Sequence, residues 1–381
     1  MKWVNKGREL EAYNRLWSNP ADIAVFGFGE NGKSLIQQLN NDINIRCIID
    51  NDKKKEGDTF LNIPVINPSS INISKYHILI STHYGHISEQ LQEIGLTEDI
   101  DFTDINKFIC SWYWYNKKKT YLPEVHIAIT TKCTLKCENC NMFVPSFKGN
   151  SSSVSLESII TSIDSLFSLA DKVLRLTLLG GEPLLSPHLG QIINYVTENH
   201  SNAIGELKII TNGTIVPKAD VLSKLQQSNA IISISDYRSS IDYLENIDRL
   251  QKKLNEYNVR HYLNSSSSWL DFNFPHNPLN IPDENLEAHM HACAPLFKGM
   301  NDSKFYYCHL AWSAEKAGLL DDNSNDYLDL NNLDGTNEKD KISLIEYNLG
   351  YMNSGYVSLC KKCGGCGKTN LSPIPAALQV K

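Results

Sequence analysis

The sequence has no long hydrophobic run and no excess of positive charge. Its first residues, Met1–Glu9, lack the apolar core of a secretion signal, and no apolar stretch approaches the length that spans a bilayer. Lysine and arginine together number 36 against 43 acidic residues, so the net charge is −7. Because nucleic-acid-binding proteins usually present a basic face, this balance argues against a nucleic-acid partner. We expect a cytoplasmic protein without a membrane span.

The composition is otherwise that of an ordinary globular protein, with 41% hydrophobic and 21% charged residues over 381 positions. That length accommodates two or three domains. Most of the 10 cysteines are clustered. In a reducing compartment such clusters indicate metal-type motifs and not disulfides. Cys47 and Cys110 are isolated and are predicted to be buried structural thiols.

Three cysteines, Cys133, Cys137 and Cys140, lie in the run CTLKCENC, and no fourth cysteine is nearby because the next one is Cys293. Thiolates suit iron–sulfur clusters or zinc. A fully ligated cubane cluster and a structural zinc site both need four protein ligands. Three thiolates on a four-iron cluster leave one iron open, as a catalytic metal site requires. A zinc knuckle or a set of redox thiols is the alternative interpretation.

This C-x3-C-x2-C spacing resembles that of the radical S-adenosylmethionine (SAM) superfamily. In that family the open iron of a [4Fe–4S] cluster binds SAM, and one electron cleaves SAM to methionine and a 5′-deoxyadenosyl radical that abstracts a substrate hydrogen. The resemblance implies that Cys133, Cys137 and Cys140 are the catalytic cluster ligands, with an electron donor such as flavodoxin or ferredoxin as partner. Asn139 departs from the family, which usually has an aromatic residue there, and this affects the adenine contacts and not the cluster.

Predicted strands and helices alternate after the cysteine motif. The strands are expected at 125–130, 173–179, 206–210 and 230–235, and the helices at 155–169, 189–198 and 219–227. Such alternation predicts a parallel sheet with helices outside, and ligands gather at the carboxyl ends of its strands. His126, in the first of these strands, is predicted to be a core histidine with satisfied hydrogen bonds. Residues 265–271 are predicted to form a loop.

Polar motifs follow three of these strands. They are Gly180-Gly181-Glu182-Pro183, then Thr211-Asn212, then Ser235-Asp236. A glycine pair lets backbone approach a ligand, and a carboxylate can accept a hydrogen bond from an ammonium group. The first motif resembles the GGEP element of the radical SAM family, which holds the methionyl amine of SAM. The resemblance implies that the other two contact SAM or substrate, and that the core is a partial (β/α)6 TIM barrel.

The remaining five cysteines are far along the chain: Cys293, Cys308, Cys360, Cys363 and Cys366. They resemble the twitch or shortened SPASM extension of radical SAM enzymes, which holds an auxiliary cluster. The first four would complete the ligands of a second [4Fe–4S] cluster, which would serve electron transfer. Cys366 is a fifth thiol that replaces Cys363 or remains free. Zinc is the alternative, because C-x2-C pairs bind zinc equally well.

The N-terminal region carries a glycine-rich loop after a predicted strand at 23–26. Gly27, Gly29 and Gly32 match the dinucleotide fingerprint G-x-G-x-x-G, and the same run through Ser34 matches the Walker A pattern. Asp50 ends a predicted strand about 20 residues after the loop, where a ribose-binding acid is expected. The short stretch available before the cysteine motif favours the dinucleotide pattern over a nucleoside-triphosphatase domain.

The region 20–108 resembles the small Rossmann-like domain at the front of sugar O-acyltransferases, through the glycine loop, the acidic residues after the second strand and the sequence Ile63-Pro64-Val65. The resemblance implies a nucleotide or nucleotide-sugar ligand. The alternative is a docking domain whose ligand site has decayed. The aromatic and lysine-rich stretch 110–119 is predicted to be a hinge at the end of this domain.

Together these features predict an α/β protein of three domains: a Rossmann-like domain at 1–115, a radical SAM core at 116–290 and a twitch/SPASM-like iron–sulfur domain at 291–381. The favoured hypothesis is oxidation or epimerisation of a sugar or nucleotide-sugar in polysaccharide or glycoconjugate biosynthesis, which makes a small molecule or saccharide the substrate. The alternatives are a peptide-modifying radical SAM enzyme and a non-catalytic nucleotide sensor or scaffold.

Overall fold

The computed structural model describes residues 23–82, 84–265, 267–293, 298–366, 370 and 372–380. The sequence also predicts a short helix over residues 1–20, and this stretch lies outside the described residues. The chain divides into two compact units, the first ending at Pro123 and the second beginning at Glu124. The division into three domains stays a prediction. None of the helices in the described part of the chain is long and apolar enough to cross a membrane.

The first unit contains a six-stranded sheet with the order β3-β4-β2-β1-β5-β6. Its strands are β1 (Ile23–Phe26), β2 (Ile45–Ile49), β3 (Thr59–Phe60), β4 (Ile63–Ile66), β5 (His77–Ile80) and β6 (Phe102–Asp104). All neighbours pair in parallel except the short β3, which is antiparallel to β4. Strands that are buried on both faces of a parallel sheet are usually runs of apolar residues. Strands β1 and β2 confirm the strands that the sequence predicts at 23–26 and 45–49.

Three helices accompany this sheet: α1 (Glu30–Leu39), α2 (Tyr84–Glu93) and α3 (Ile105–Lys117). The sequence predicts a helix over Ser34–Leu39. Helix α1 begins four residues earlier, directly after Gly29. Cys47 and Cys110 are buried, as predicted.

The predicted hinge at 110–119 is wrong, because most of that stretch lies in α3. Asp104 caps the helix by accepting hydrogen bonds from the backbone N–H groups of residues 106 and 107, and Lys118 ends it in the left-handed conformation. Trp112 and Trp114 are 8% and 3% exposed. Apolar burial of its aromatic side chains therefore stabilises a helix where composition alone indicated a boundary.

His77 makes the first unit sensitive to acid. Its side chain is buried, Nδ1 lies 3.3 Å from the carbonyl oxygen of Ile100, and Nε2 lies 3.3 Å from Oγ1 of Thr103. Burial lowers the pKa of His77 to about 4. Below the unfolded pKa of about 6.5 the unfolded chain binds a proton that the folded protein does not, so stability falls as pH drops from about 6.5 towards 4.

We expect the free energy of unfolding to fall by about 2 kcal/mol between pH 7.5 and pH 5 through His77 alone. Denaturant unfolding of wild type and His77→Asn at the two pH values measures this, because the variant should lose much of the acid-induced decrease. His86→Asn, at an exposed histidine of the same unit, is the matched control. An equal decrease in wild type and His77→Asn would contradict the assignment.

The second sheet has eight strands in the order β11-β10-β9-β8-β7-β13-β14-β15. In chain order the strands are β7 (Tyr121–Thr130), β8 (Lys172–Gly180), β9 (Ile204–Thr211), β10 (Ile231–Asp236), β11 (Arg260–Ser265), β12 (Ser268–Leu270), β13 (Gly299–Asn301), β14 (Lys304–Tyr306), β15 (Leu328–Asp329) and β16 (Pro373–Pro375). Strands β12 and β16 form a separate antiparallel pair. The predicted loop over 265–271 is therefore wrong where β12 lies.

The helices of this unit are α4 (Leu156–Leu169), α5 (Leu189–His200), α6 (Ala219–Gln227), α7 (Leu244–Glu256), α8 (Asp283–Ala292), α9 (Leu310–Lys316) and α10 (Glu338–Asn348). The first three confirm the predicted helices. Ser155 caps α4 by accepting a hydrogen bond from the backbone N–H of Ser158.

Strands β8 to β11 pair in parallel, as predicted from the strand–helix alternation. On the other side of β7, β13 is parallel to β7, and β14 and β15 continue in antiparallel pairing. Over the described ranges the sheet is open and no closed barrel is formed. The partial (β/α)6 barrel stays a prediction. What the sheet does establish is that β8, β9 and β10 are neighbours, so the motifs that follow them meet at one edge.

His126 in β7 is a core residue, 3% exposed. Its Nδ1 lies 2.9 Å from the carbonyl oxygen of Lys298, and its Nε2 lies 3.2 Å from Oε1 of Glu124. Both ring nitrogens therefore have partners, which confirms the prediction of a satisfied core histidine.

Candidate active site

The cysteine motif occupies the loop that follows β7. The backbone N–H of Leu135 donates to Sγ of Cys133 at 3.4 Å. Burial raises the pKa of the Cys133, Cys137 and Cys140 thiols to about 11. Metal ligation requires thiolates, so iron binding would displace three protons here. The soft sulfur donors and the N–H groups directed at them fit an iron–sulfur cluster.

The predicted GGEP residues form a turn directly against this loop. The backbone N–H of Gly181 donates to the Thr130 carbonyl oxygen at 2.8 Å, and that of Glu182 donates to the Lys132 carbonyl oxygen at 2.7 Å. A Cβ on Gly180 would lie 2.2 Å from the Thr130 oxygen, and one on Gly181 would lie 2.2 Å from the Lys132 oxygen. The glycine pair is therefore needed for contact with the chain's own cysteine loop.

Glu182 joins the carboxyl ends of β8 and β9. Its side chain is fully buried. Oε1 accepts from Oγ1 of Thr211 at 2.8 Å and from the backbone N–H of Leu184 at 3.0 Å, and Oε2 accepts from the backbone N–H of Asn212 at 2.8 Å. Burial raises the pKa of Glu182 to about 7, although these hydrogen bonds lower it. Each carboxylate oxygen can accept about two hydrogen bonds, so Oε2 has capacity for one more donor.

Pro183 follows Glu182 and begins a short 3-10 turn, Pro183–Leu185. Its missing N–H and fixed φ suit that first helical position. Glu182 is the cap residue of this turn. The four GGEP residues thus act as one structural element between β8 and the helix that follows.

Asn212 connects the end of β9 to the cysteine loop. Its Nδ2 lies 3.4 Å from Sγ of Cys133 and 3.1 Å from Oγ1 of Thr134. Oγ1 of Thr134 in turn lies 2.6 Å from Oγ1 of Thr214. Two of the predicted motifs, GGEP and Thr211-Asn212, are therefore brought together with the cysteines by direct hydrogen bonds.

Ser235 and Asp236 lie at the end of β10, the next strand of the sheet. Asp236 accepts from Nε of Arg238 at 2.8 Å and from Oγ of Ser265 at 3.1 Å. The hydrogen bonds with Arg238 are the main reason that the pKa of Asp236 falls to about 2. The Ser235 carbonyl oxygen accepts from the hydroxyl of Tyr243 at 3.0 Å. Arg238, Tyr243 and Ser265 therefore hold this third motif in place at the same edge of the sheet.

Tyr237 is a residue of this edge whose role the sequence did not indicate. Burial raises its pKa, and the Cys137 and Cys140 thiols add to that shift, which places the phenol within electrostatic range of the cysteine motif. The ring contacts Trp269 edge to face, with the ring centres 5.5 Å apart. An aromatic pair thus lies close to the cysteine motif.

The second cysteine group also converges. The backbone N–H of Cys366 donates to Sγ of Cys293 at 3.3 Å. Burial raises the pKa of Cys308 well above its usual value, and the Cys293, Cys363 and Cys360 thiols raise it further. Burial, Cys293 and Cys363 together raise the pKa of Cys366 to about 12. All five predicted cysteines therefore lie in one neighbourhood, Cys366 included.

Within the described residues, no three His, Cys, Asp or Glu side chains are arranged around a single metal ion. A cubane cluster has different requirements, because each thiolate binds a different iron atom and the sulfur atoms are spread more widely than the ligands of one ion. The thiol groups described above can therefore hold a cluster although they form no site for a single metal ion among the described residues.

The glycine loop of the first unit forms a separate candidate site between β1 and α1. Asp50 accepts from the backbone N–H of Phe28 at 2.9 Å and from Nζ of Lys55 at 2.9 Å. A Cβ on Gly32 would lie 2.2 Å from the carbonyl oxygen of Gly27.

A Cβ on Gly29, by contrast, would meet no atom within 4 Å. Nζ of Lys33, the Walker A lysine, lies 4.7 Å from the centre of the Phe28 ring and 3.3 Å from a carboxylate oxygen of Glu30. The fingerprint residues Gly27, Gly29, Gly32 and Asp50 are brought together around this loop.

Comparison with known proteins gives two family matches. Residues 127–293 match the radical SAM superfamily, and residues 20–100 match the family described as C2185-like, N-terminal. The first match supports the assignment of the central segment to the radical SAM superfamily. The second covers nearly the whole region in which we expected a nucleotide-binding domain.

The uncharacterized protein MJ0907 of Methanocaldococcus jannaschii is 29% identical over 146 residues, which are 38% of this chain and 44% of that protein. The match thus spans less than half of the relative's length. Among solved structures, native anSMEcpe with bound AdoMet is 13% identical over 64% of this chain and 90% of its own, with a TM-score of 0.41. BtrN in complex with AdoMet and 2-DOIA is 14% identical over 65% of this chain and 94% of its own, with a TM-score of 0.40.

Proposed function

We propose that this protein is a radical SAM enzyme in which Cys133, Cys137 and Cys140 hold a [4Fe–4S] cluster. The observation that carries the proposal is the direct hydrogen bonding of the cysteine loop to both the GGEP turn and Asn212. Such a cluster would supply the one-electron reduction that cleaves SAM to methionine and a 5′-deoxyadenosyl radical.

Residues of this chain would bind and orient SAM and the substrate. The remaining acceptor position on Oε2 of Glu182 suits the methionyl ammonium group of SAM, because a carboxylate binds such a donor strongly. Asn212 fixes the position of Cys133 through its side-chain amide. Tyr237, whose ring packs against Trp269 close to the cysteine motif, provides aromatic surface that would suit the adenine. Ser235 and Asp236 supply polar groups for the ribose or the substrate.

We further propose that Cys293, Cys308, Cys360 and Cys363 hold a second [4Fe–4S] cluster in a twitch/SPASM-like arrangement, with Cys366 as an alternative ligand. Their common neighbourhood supports this set. Oxidation of the substrate radical requires an electron acceptor. A fully ligated second cluster would accept that electron. Zinc at this site would remove that electron acceptor.

For the substrate we propose a sugar or nucleotide-sugar. In the first unit the chain adds β2 on one side of β1 and later β5 on the other side, so the strand order reverses at β1. The glycine loop follows that strand. Open α/β sheets bind ligands at such a reversal, with phosphates at the start of the following helix, as in Rossmann-like domains. An electron donor such as flavodoxin or ferredoxin and a cytoplasmic location complete the proposal.

The test incubates anaerobically reconstituted protein with SAM, dithionite and a panel of labelled nucleotide-sugars. We expect one of them to stimulate 5′-deoxyadenosine formation and to return oxidised or epimerised. The variant Asp50→Asn should raise the concentration of nucleotide-sugar needed for this stimulation, whereas Asp58→Asn, at an exposed position of the same unit, should not. Deoxyadenosine formation unaffected by every sugar would contradict the substrate class, and stimulation by a peptide would indicate a peptide-modifying enzyme instead.

A further inference from the structure

A segment late in the chain, residues 377–380, pairs with the cysteine loop as a short antiparallel bridge. The backbone N–H of Glu138 donates to the carbonyl oxygen of Leu378 at 2.7 Å. The backbone N–H of Val380 donates to the carbonyl oxygen of Lys136 at 2.8 Å. These bonds place Gln379 directly opposite Cys137.

The side-chain amide of Gln379 is fixed by one hydrogen-bond donor and by two hydrogen-bond acceptors. Its oxygen accepts from the backbone N–H of Lys136 at 2.8 Å. Its nitrogen lies 3.3 Å from Sγ of Cys137 and 2.7 Å from the carbonyl oxygen of Ala377. Since Lys136 provides a donor and Ala377 an acceptor, the amide has one favourable orientation, with an N–H directed at the sulfur.

The residues that precede this segment are also anchored, through pairing with residues 267–270. Strand β16, immediately before it, pairs with β12 over residues 268–270. The backbone N–H of Ala376 donates to the carbonyl oxygen of Ser267 at 3.1 Å, and Ala376 and Ala377 are fully buried. The position of Gln379 is therefore set by a paired strand and by two buried residues.

Hydrogen bonds to the sulfur ligands of a cluster stabilise its reduced, more negative state and thereby raise the reduction potential. Partners of metal ligands also orient the ligands, and their loss typically costs about 10–100-fold in metal affinity or activity. Asn212 makes a comparable contact with Cys133, but it belongs to a motif already expected at this site. Gln379 comes from a part of the chain to which no role in the first cluster has been assigned.

We propose that Gln379 is a positioning residue of the radical SAM site, which holds Cys137 in place and raises the reduction potential of the cluster. The inference rests on the proposed function, because it requires a cluster on Cys133, Cys137 and Cys140. It makes Gln379 part of the active site, although this residue comes after the second cysteine group in the sequence.

The test compares Gln379→Ala, Gln379→Glu and wild type, each as the reconstituted full chain. Gln379→Glu keeps an oxygen for Lys136 but replaces the N–H that faces Cys137, whereas Gln379→Ala removes both contacts. Leu378→Ala is the matched control, because the Leu378 side chain is 40% exposed and its backbone contact is unchanged. The readouts are iron content, the potential of the SAM-sensitive electron paramagnetic resonance signal, and the rate of 5′-deoxyadenosine formation.

We expect both Gln379 variants to move that potential to more negative values and to slow deoxyadenosine formation about tenfold with a weak reductant. Leu378→Ala should behave as wild type. An unchanged potential in Gln379→Glu at full iron content would overturn the inference and leave only a structural role for the segment. Absence of a SAM-sensitive signal in wild type would overturn the proposed function itself, so the two failures are distinguishable.

Discussion

Replacing Glu182 with alanine is expected to reduce SAM cleavage by about 100-fold or more, since small displacements of reacting groups have effects of that size. The substitution leaves Thr211, Leu184 and Asn212 without the acceptor that joins β8 to β9. Each buried donor left unpaired costs roughly 1–3 kcal/mol. The carboxylate that is proposed to receive the SAM ammonium group is lost at the same time.

Two variants separate the structural and binding roles of Glu182. Thr211→Val removes one of the three hydrogen bonds and keeps the carboxylate, so its effect on SAM cleavage should be much smaller. Glu157→Ala, at an exposed glutamate of α4, should have none. The measurement is deoxyadenosine formation against SAM concentration with iron content matched. Equal rates for Glu182→Ala and Glu157→Ala would contradict this role.

Replacing Gly181 with alanine is expected to remove the first cluster. The new Cβ would lie 2.2 Å from the Lys132 carbonyl oxygen and 3.0 Å from Cβ of Cys133, so the cysteine loop would have to move. Overpacking of this kind costs about 1–3 kcal/mol, and the shift falls on a cluster ligand. Reconstituted Gly181→Ala should therefore contain about half the iron of wild type, as expected if one of two four-iron clusters is lost.

Gly29→Ala is the control for this result, because its Cβ would meet no atom within 4 Å. It should retain full iron. The Gly181→Ala variant should retain the iron of the second cluster, since that cluster is proposed to be held by other cysteines. Wild-type iron content in Gly181→Ala would show that the contact between the GGEP turn and the cysteine loop does not control cluster binding.

Much of the candidate site could be predicted from the sequence, because its parts follow neighbouring parallel strands. Cys133, Gly181 and Asn212 each come shortly after an apolar run, and a parallel sheet brings such positions to one edge. Local patterns were therefore enough to place them together. The sequence also indicated that a glycine pair was needed, but the structure shows that the close neighbour is the chain's own loop.

Other contacts left no local signal. Gln379 reaches Cys137 across a separation of 242 residues, and its neighbours in the sequence form no recognisable motif. The aromatic helix α3 was mistaken for a hinge, because aromatic clusters followed by lysines occur both in buried helices and at domain ends. In such cases tertiary packing decides, and periodicity alone does not.

The most direct test of the central claim is anaerobic reconstitution of wild type and of a variant with Cys133, Cys137 and Cys140 all changed to alanine. Iron, sulfide, zinc and dithionite-driven 5′-deoxyadenosine are measured in both. We predict about eight irons in wild type, about four in the variant, and deoxyadenosine from wild type only. Equal iron in both proteins, or deoxyadenosine formation by the variant, would contradict a radical SAM cluster at these cysteines.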